Sequence, residues 1–169
     1  VPQALLEHWL AGTRRFFRYE LLDEPDAGGT DREGTLGMVD TTGTWSAKSD
    51  FWAVHALLRA CDDPGPSFRP RPLRLSLTGG PGHLKHAVFA RRNGTHVLAL
   101  WVDQEVYDPQ ERKLLVPDLR QPMASVSLGL DSRRDISVRH LTDLGSETRA
   151  TTSSLRVALP PGVTLVTLR

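Results

Sequence analysis

An apolar segment of the chain runs directly into a cluster of carboxylates. Residues 14–22, RRFFRYELL, have the composition of a buried strand. Acidic side chains lie at Glu20, near the end of this segment, and at Asp23, Glu24 and Asp26 just after it. On a strand, Arg18 and Glu20 lie on the same face, because alternate side chains point to the same side. The carboxylates at the end of the strand therefore indicate the mouth of a site rather than a core. Tyr19 lies beside them.

The same residues also have a purely structural interpretation. Glu20 can form an ion pair with Arg18, and Asp23 and Glu24 can simply begin a solvated loop. Trp45, in the turn TTGTW, can stack on a ligand ring or fill the gap under the following helix. We favour the second role for Trp45, and both interpretations of the carboxylates stay open.

Other residues that could do chemistry give weaker signals. His83 and His86 are three apart on an expected strand, which places them on opposite faces and argues against a joint metal site. Asp103 and Glu105 are an isolated acidic pair, which is weak evidence for calcium. Cys61 follows an expected helix and is interpreted as an inert buried thiol. No phosphate loop, nucleotide fingerprint or Ser-His-Asp arrangement is present.

Composition excludes several classes of protein. The chain has 169 residues, 39% hydrophobic and 24% charged, which is typical of a globular protein. Its net charge of +1 gives no electrostatic case for nucleic acid or an anionic membrane. No apolar run approaches the roughly 18 residues of a membrane span. The first residues include neither a signal-peptide pattern nor an initiating Met, so we expect a piece of a longer protein.

The first 61 residues predict a helix, a strand, a long loop and a second helix. Pro2 and Gly12 bound a helix over 2–11, the strand covers 14–22, and an apolar face predicts a helix over 47–60. That face consists of Phe51, Val54, Leu57, Leu58 and Cys61. Because one strand cannot form a sheet alone, its partners are expected upstream.

The residue pattern of the second half differs from that of the first. Four prolines make residues 62–72 stiff and non-helical, which predicts a domain linker. Beyond it, Asn93-Gly94 is a strong two-residue hairpin signal. Short β-type runs recur at 73–79, 84–92, 95–102, 123–130, 135–141, 154–160 and 163–169.

These runs predict a mainly β fold with an antiparallel β-sandwich over 73–169. The strand from His96 to Val102 is apolar on both faces, so it should be central in its sheet and covered on both sides. The helices at 2–11 and 47–60 are the expected cover of its second face. The predicted organisation is thus 1–61, a linker at 62–72, and the sandwich.

Two stretches carry a resemblance to a known family. FFRYELLDEPD and GTLGMVDTTGTWSAKSDFWAVHALL resemble the last β/α unit of retaining glycoside hydrolases with a (β/α)8 barrel, of the family 39 type. The proline that usually follows the lysine in that pattern is replaced here by Ser49. GTHVLALWVDQEVYD is similar to a strand of the accessory sandwich that such enzymes often carry.

The resemblance implies the C-terminal part of a secreted or cell-surface enzyme that hydrolyses O-glycosidic bonds with retention. In that clan the two catalytic carboxylates come from the fourth and seventh barrel strands, which this chain does not contain. The resemblance therefore implies no catalytic residue here, and substrate contacts by Tyr19, Glu20, Asp23 and Glu24.

The implied partners are a carbohydrate substrate and the upstream part of the barrel, which the sandwich would buttress. No metal, cofactor, nucleic acid or membrane is expected. The alternative is a non-catalytic carbohydrate-binding or adhesion sandwich module.

Overall fold

The computed structural model describes residues 1–24, 35–41, 43–105, 107–108, 110–111, 113–115 and 122–169. These residues form two units, Val1–Leu57 and Leu58–Arg169, each with its own internal contacts. Antiparallel strands make up most of the regular structure, and the described residues contain two α-helices. The mainly β fold class expected from the sequence is confirmed. That the first unit ends a barrel stays a prediction.

The first part of the chain contains both helices and a short hairpin. Helix α1 spans Pro2–Leu10, and Gly12 follows it with a φ of 82°, which glycine adopts without a steric penalty. Strands β1 (Val39–Asp40) and β2 (Ser46–Ala47) pair antiparallel. Helix α2 spans Ser49–Cys61. Both helices begin and end close to where the apolar periodicity predicts them.

The buried side of α2 differs from the predicted one. Ala53 and Leu57, one helical turn apart, are the buried residues of this helix. Leu58 was expected on the buried face but is 59% exposed. Leu58 lies about 100° around the helix from Leu57 and further still from Ala53, outside the side that these two residues bury.

The strand predicted over 14–22 does not form a ladder. Among the described residues, Leu22 alone pairs, through an isolated parallel bridge to Val39. Phe17, Tyr19 and Leu21 are 86%, 63% and 58% exposed. The composition suits a strand, but a strand forms only where a neighbour supplies backbone partners. The described residues supply one bridge.

The second unit is built on antiparallel strands. They are β3 (Leu75–Thr78), β4 (Leu84–Ala90), β5 (His96–Val102), β6 (Tyr107–Asp108), β7 (Lys113–Leu114), β8 (Ala124–His140), β9 (Asp143–Leu159) and β10 (Val163–Leu168). Six of them form one sheet in the order β3-β8-β10-β5-β4, with β9 paired to the other side of β8, and β6 and β7 form a small separate hairpin.

Two long strands fold this sheet over itself. β8 and β9 have 17 residues each, with a register shift between Gly129 and Arg134 of β8. The first part of β8 pairs with β3 and its second part with β10. Buried side chains from both parts share one core, so the curled sheet closes as a sandwich does.

The prediction of two separate strands at 123–130 and 135–141 is therefore wrong, because both stretches belong to the single strand β8. The polar residues between them indicated a turn in the sequence. In the structure they form an irregular bend within one strand, because β9 continues to pair on both sides of it.

The hairpin predicted at Asn93-Gly94 is confirmed, with a loop one residue longer than expected. The Arg91 amide donates to the Thr95 carbonyl at 2.8 Å, and the Gly94 amide donates to the Arg91 carbonyl at 3.0 Å. Arg92, Asn93 and Gly94 therefore form the loop. Gly94 has a φ of 83°, the left-handed position that a three-residue hairpin loop requires.

β5 is central in its sheet, as its sequence predicts. It pairs with β10 on one side and β4 on the other, and all seven of its residues are buried. Leu98, Leu100 and Val102 belong to the core cluster inside the curled sheet. Val97 and Trp101, on the opposite face, are 1% and 0% exposed, so both faces are covered.

The Pro-rich segment at 62–72 contains neither helix nor strand. Arg92 holds it against the β4–β5 hairpin. Its Nη2 and Nε donate to the Pro66 carbonyl at 2.6 and 3.1 Å, and its guanidinium lies 5.4 Å from the ring centroid of Phe68. The segment is thus fixed to the second unit, and its role as a domain linker stays a prediction.

Candidate functional site

Backbone hydrogen bonds tie the end of the 14–22 segment to strand β1. The amides of Met38 and Val39 both donate to the Leu21 carbonyl at 2.9 Å, and the Asp23 amide donates to the Val39 carbonyl at 3.0 Å. The four candidate residues therefore lie on a short piece of chain beside the β1–β2 hairpin.

Asp23 is the best fixed of the four. Its side chain is 6% exposed, and Oδ1 accepts a hydrogen bond at 2.7 Å from Lys48 Nζ. Lys48 Nζ also donates to the Thr35 carbonyl at 2.9 Å, and Thr41 Oγ1 donates to the Asp23 carbonyl at 3.0 Å. Asp23 thus joins segments that lie far apart in the chain. Its carboxylate stabilises the local fold, because the charge-assisted bond satisfies a buried charge.

Glu20 does not form the expected ion pair with Arg18 among the described residues. Arg18 instead donates to the main-chain carbonyls of Tyr19 and Leu36. Glu20 is half-buried, and its Oε1 has no hydrogen-bond partner among the described residues. The peptide bond between Tyr19 and Glu20 is cis.

Tyr19 and Glu24 are the exposed candidates, with Tyr19 63% exposed. Of the four predicted site residues, these two present their side chains to solvent. Glu20 is half-buried, and Asp23 forms an ion pair with Lys48. The remainder of the acidic loop, residues 25–34, lies outside the described residues.

Lys48 contacts the candidate site through Asp23, and the sequence analysis did not single it out. The chain contains three lysines, at 48, 85 and 113, among 21 basic residues. Lys48 binds Asp23 at 2.7 Å, and Lys85 binds Asp103 at 2.8 Å. The rarity of lysine in an arginine-rich chain was the signal available. The pairing itself spans 25 residues and could not be derived from spacing.

Trp45 is placed differently from the expectation. We expected its ring to fill the gap under α2, but the ring is 62% exposed. Its φ is 53°, in the left-handed region that bulky residues rarely adopt. The described structure therefore places the indole at the surface of the β1–β2 hairpin.

Gly37 is held tightly against the backbone of the site. A Cβ at this position would lie 2.3 Å from the Asp23 amide nitrogen and 2.4 Å from the Leu22 carbonyl carbon. We expect Gly37→Ala to lower the free energy of unfolding of the first unit by roughly 1–2 kcal/mol, through overpacking.

Urea denaturation of the purified variant measures this effect. Gly82→Ala is the control, because a Cβ at Gly82 meets nothing within 4 Å. Equal stability of Gly37→Ala and the wild type would contradict the close packing at Asp23.

The remaining candidates, Cys61 and Asp103, belong to the second unit. Burial raises the pKa of the Cys61 thiol to about 11, which keeps it protonated and unreactive at neutral pH. Asp103 is paired with Lys85. Among the described residues, no group of three or more His, Cys, Asp or Glu side chains is arranged to hold a metal ion.

Comparison with known protein families finds no family that matches this chain. A search of curated proteins likewise finds no match. Neither helix in the described part of the chain has the length and apolar character needed to cross a bilayer.

Proposed function

We propose that this chain is the C-terminal part of a secreted or cell-surface retaining glycoside hydrolase. In this proposal Val1–Leu57 belongs to the last β/α unit of a (β/α)8 barrel, and Leu58–Arg169 contains the accessory sandwich that buttresses it. The parent reaction is hydrolysis of an O-glycosidic bond by a nucleophile and an acid/base carboxylate, both from barrel strands outside this chain.

The observation that supports this proposal most is the exposed apolar surface of the 14–22 segment. Phe17, Tyr19 and Leu21 are 86%, 63% and 58% exposed, and Phe16 and Leu22 are 36% and 38% exposed. Strands of a parallel barrel are apolar on both sides, because helices cover one and the barrel interior the other. A segment of this type left exposed fits a strand whose neighbours belong to the rest of a barrel.

The site geometry gives each candidate a role in this proposal. Asp23, bound to Lys48, fixes the turn that follows the strand segment. Tyr19 and Glu24 are exposed and would hydrogen-bond sugar hydroxyls, and the buried Glu20 Oε1 has no hydrogen-bond partner among the described residues. The chain supplies substrate contacts in this scheme and no catalytic residue.

We therefore expect the 169-residue chain alone to show no turnover of aryl glycosides, because both catalytic carboxylates are absent. Release of 4-nitrophenol from a panel of 4-nitrophenyl glycosides measures this. The protein encoded by the whole natural gene is the comparison and should hydrolyse at least one of them. Hydrolysis by the 169-residue chain that disappears in Glu20→Gln would contradict the proposal and make Glu20 catalytic.

The second candidate is a carbohydrate-binding or adhesion module. It is favoured by the continuous core of the second unit, to which β5, β8, β9 and β10 all contribute. Such a core is consistent with a domain that folds independently. The two functions differ in what precedes Val1 in the gene. About six further strand–helix repeats support the hydrolase, whereas a signal-peptide cleavage site near Val1 supports the module.

A further inference from the structure

Trp45 is held in a backbone conformation that tryptophan does not favour. Its φ of 53° lies in the left-handed region, where the Cβ approaches the carbonyl oxygen and raises the energy. Gly43, in the same turn, has a φ of 74°. The pairing of β1 with β2 holds the turn from both sides. The result is an indole that is 62% exposed at the tip of a hairpin.

The hairpin places this indole beside the candidate site. Asp40 pairs with Ser46, so the next residues outward, Thr41 and Trp45, face each other across the turn. Thr41 Oγ1 donates to the Asp23 carbonyl at 3.0 Å. Because Leu22 and Val39 run parallel, the chain after Leu22 and the tip of the hairpin lie at the same end.

Two other tryptophans of this unit, Trp9 and Trp52, are also exposed, and the ring of Trp52 has aromatic neighbours. Trp52 is 47% exposed, but its ring packs edge-on against Phe51 at 5.3 Å and His55 at 6.0 Å between centroids. Trp45 makes no ring contact with any residue in the described part of the chain. The Trp45 side chain is the more exposed of the two, whereas Phe51 and His55 already contact the ring of Trp52.

From this arrangement we infer that the indole of Trp45 is the stacking platform for a pyranose ring at the candidate site. One face of a pyranose carries C–H groups that match an aromatic face, and its hydroxyls lie at the rim. Glu24, exposed just beyond Asp23, supplies the carboxylate that accepts hydrogen bonds from those hydroxyls. This inference rests on the proposed carbohydrate function and adds the residue that binds the sugar face.

The test is a nuclear magnetic resonance titration of the 169-residue chain. The chain has four tryptophans, and substitution of each assigns its indole N–H signal. The probes are methyl β-D-glucopyranoside and methyl β-D-xylopyranoside, with glycerol as a polyol that has no ring face. We expect the Trp45 signal to shift saturably with at least one pyranoside and not with glycerol.

Matched variants separate stacking from general effects on the fold. Trp45→Ala should weaken binding by about tenfold or more, and Trp45→Phe should retain part of it. Trp52→Ala should bind as the wild type does, and unchanged backbone signals in each variant report that the fold is intact.

The outcomes distinguish this inference from the proposed function. Shifts confined to backbone signals near Glu20 and Glu24, with Trp45 unaffected, would leave the carbohydrate function standing and overturn the role of Trp45. Shifts confined to Leu58–Arg169 would favour the binding-module function and also overturn it. If neither pyranoside shifts any signal, both the inference and the sugar contacts proposed for this segment are wrong.

Discussion

Replacing Leu98 with alanine is expected to lower the free energy of unfolding of the second unit by about 2.5–5 kcal/mol. Leu98 is 0% exposed and lies in the middle of β5. Val166 of β10 and Val88 of β4 flank it in the sheet. Truncation removes buried methyl groups and leaves a cavity, because the strands on both sides prevent the core from collapsing into the space.

Urea denaturation followed by circular dichroism measures this loss. Leu115→Ala is the matched control, because the same atoms are removed from a side chain that is 46% exposed. The control should change the free energy of unfolding by less than about 1 kcal/mol. Similar losses in the two variants would contradict the placement of β5 at the centre of the core.

Lys48→Met is expected to destabilise the first unit by roughly 2–3 kcal/mol. The substitution leaves the Asp23 carboxylate, 6% exposed, without its cation. Loss of one partner of a fully buried ion pair costs about 3–5 kcal/mol, and the 31% exposure of the Lys48 side chain reduces that figure. Asp23→Asn combined with Lys48→Met should recover part of the loss, because the unpaired charge is then removed.

An exposed ion pair provides the control for this experiment. Lys85 and Asp103 approach to 2.8 Å, with side chains 39% and 51% exposed. Lys85→Met should cost no more than about 1 kcal/mol, since solvent screens the pair. Denaturation curves for the wild type and the three variants report both effects. If Lys48→Met is no less stable than Lys85→Met, the burial of Asp23 does not depend on its ion pair with Lys48. The Asp23 carboxylate would then again be a candidate for contact with substrate.

The sequence by itself determined the elements whose signals are local. Helices α1 and α2 follow from apolar side chains three and four residues apart, with Pro2 and Gly12 at the ends of the first. The β4–β5 hairpin follows from Asn93-Gly94, because few residues adopt the left-handed conformation that Gly94 requires. The burial of β5 on both faces follows from its unbroken apolar sequence. Each of these depends on residues within a few positions of one another.

Tertiary structure decided whether the other strand-like segments form ladders. Residues 14–22 have a strand composition yet form one bridge, since pairing depends on a neighbour and not on composition. Conversely, the polar stretch between Gly129 and Arg134 continues as part of β8, because β9 lies alongside it. The number and length of the strands could therefore not be predicted from the local sequence.

In the candidate site, too, some features could be predicted from the sequence and others depended on the tertiary structure. Its position after an apolar segment could be predicted from the order of residues, as could the candidates Tyr19, Glu20, Asp23 and Glu24. That Asp23 is buried against Lys48, and that the Trp45 indole is exposed, depended on the β1–β2 hairpin folding next to this segment. An ion pair between residues 25 positions apart, and the exposure of a ring, depend on which segments of the chain pack together. The spacing of residues in the sequence does not specify that packing.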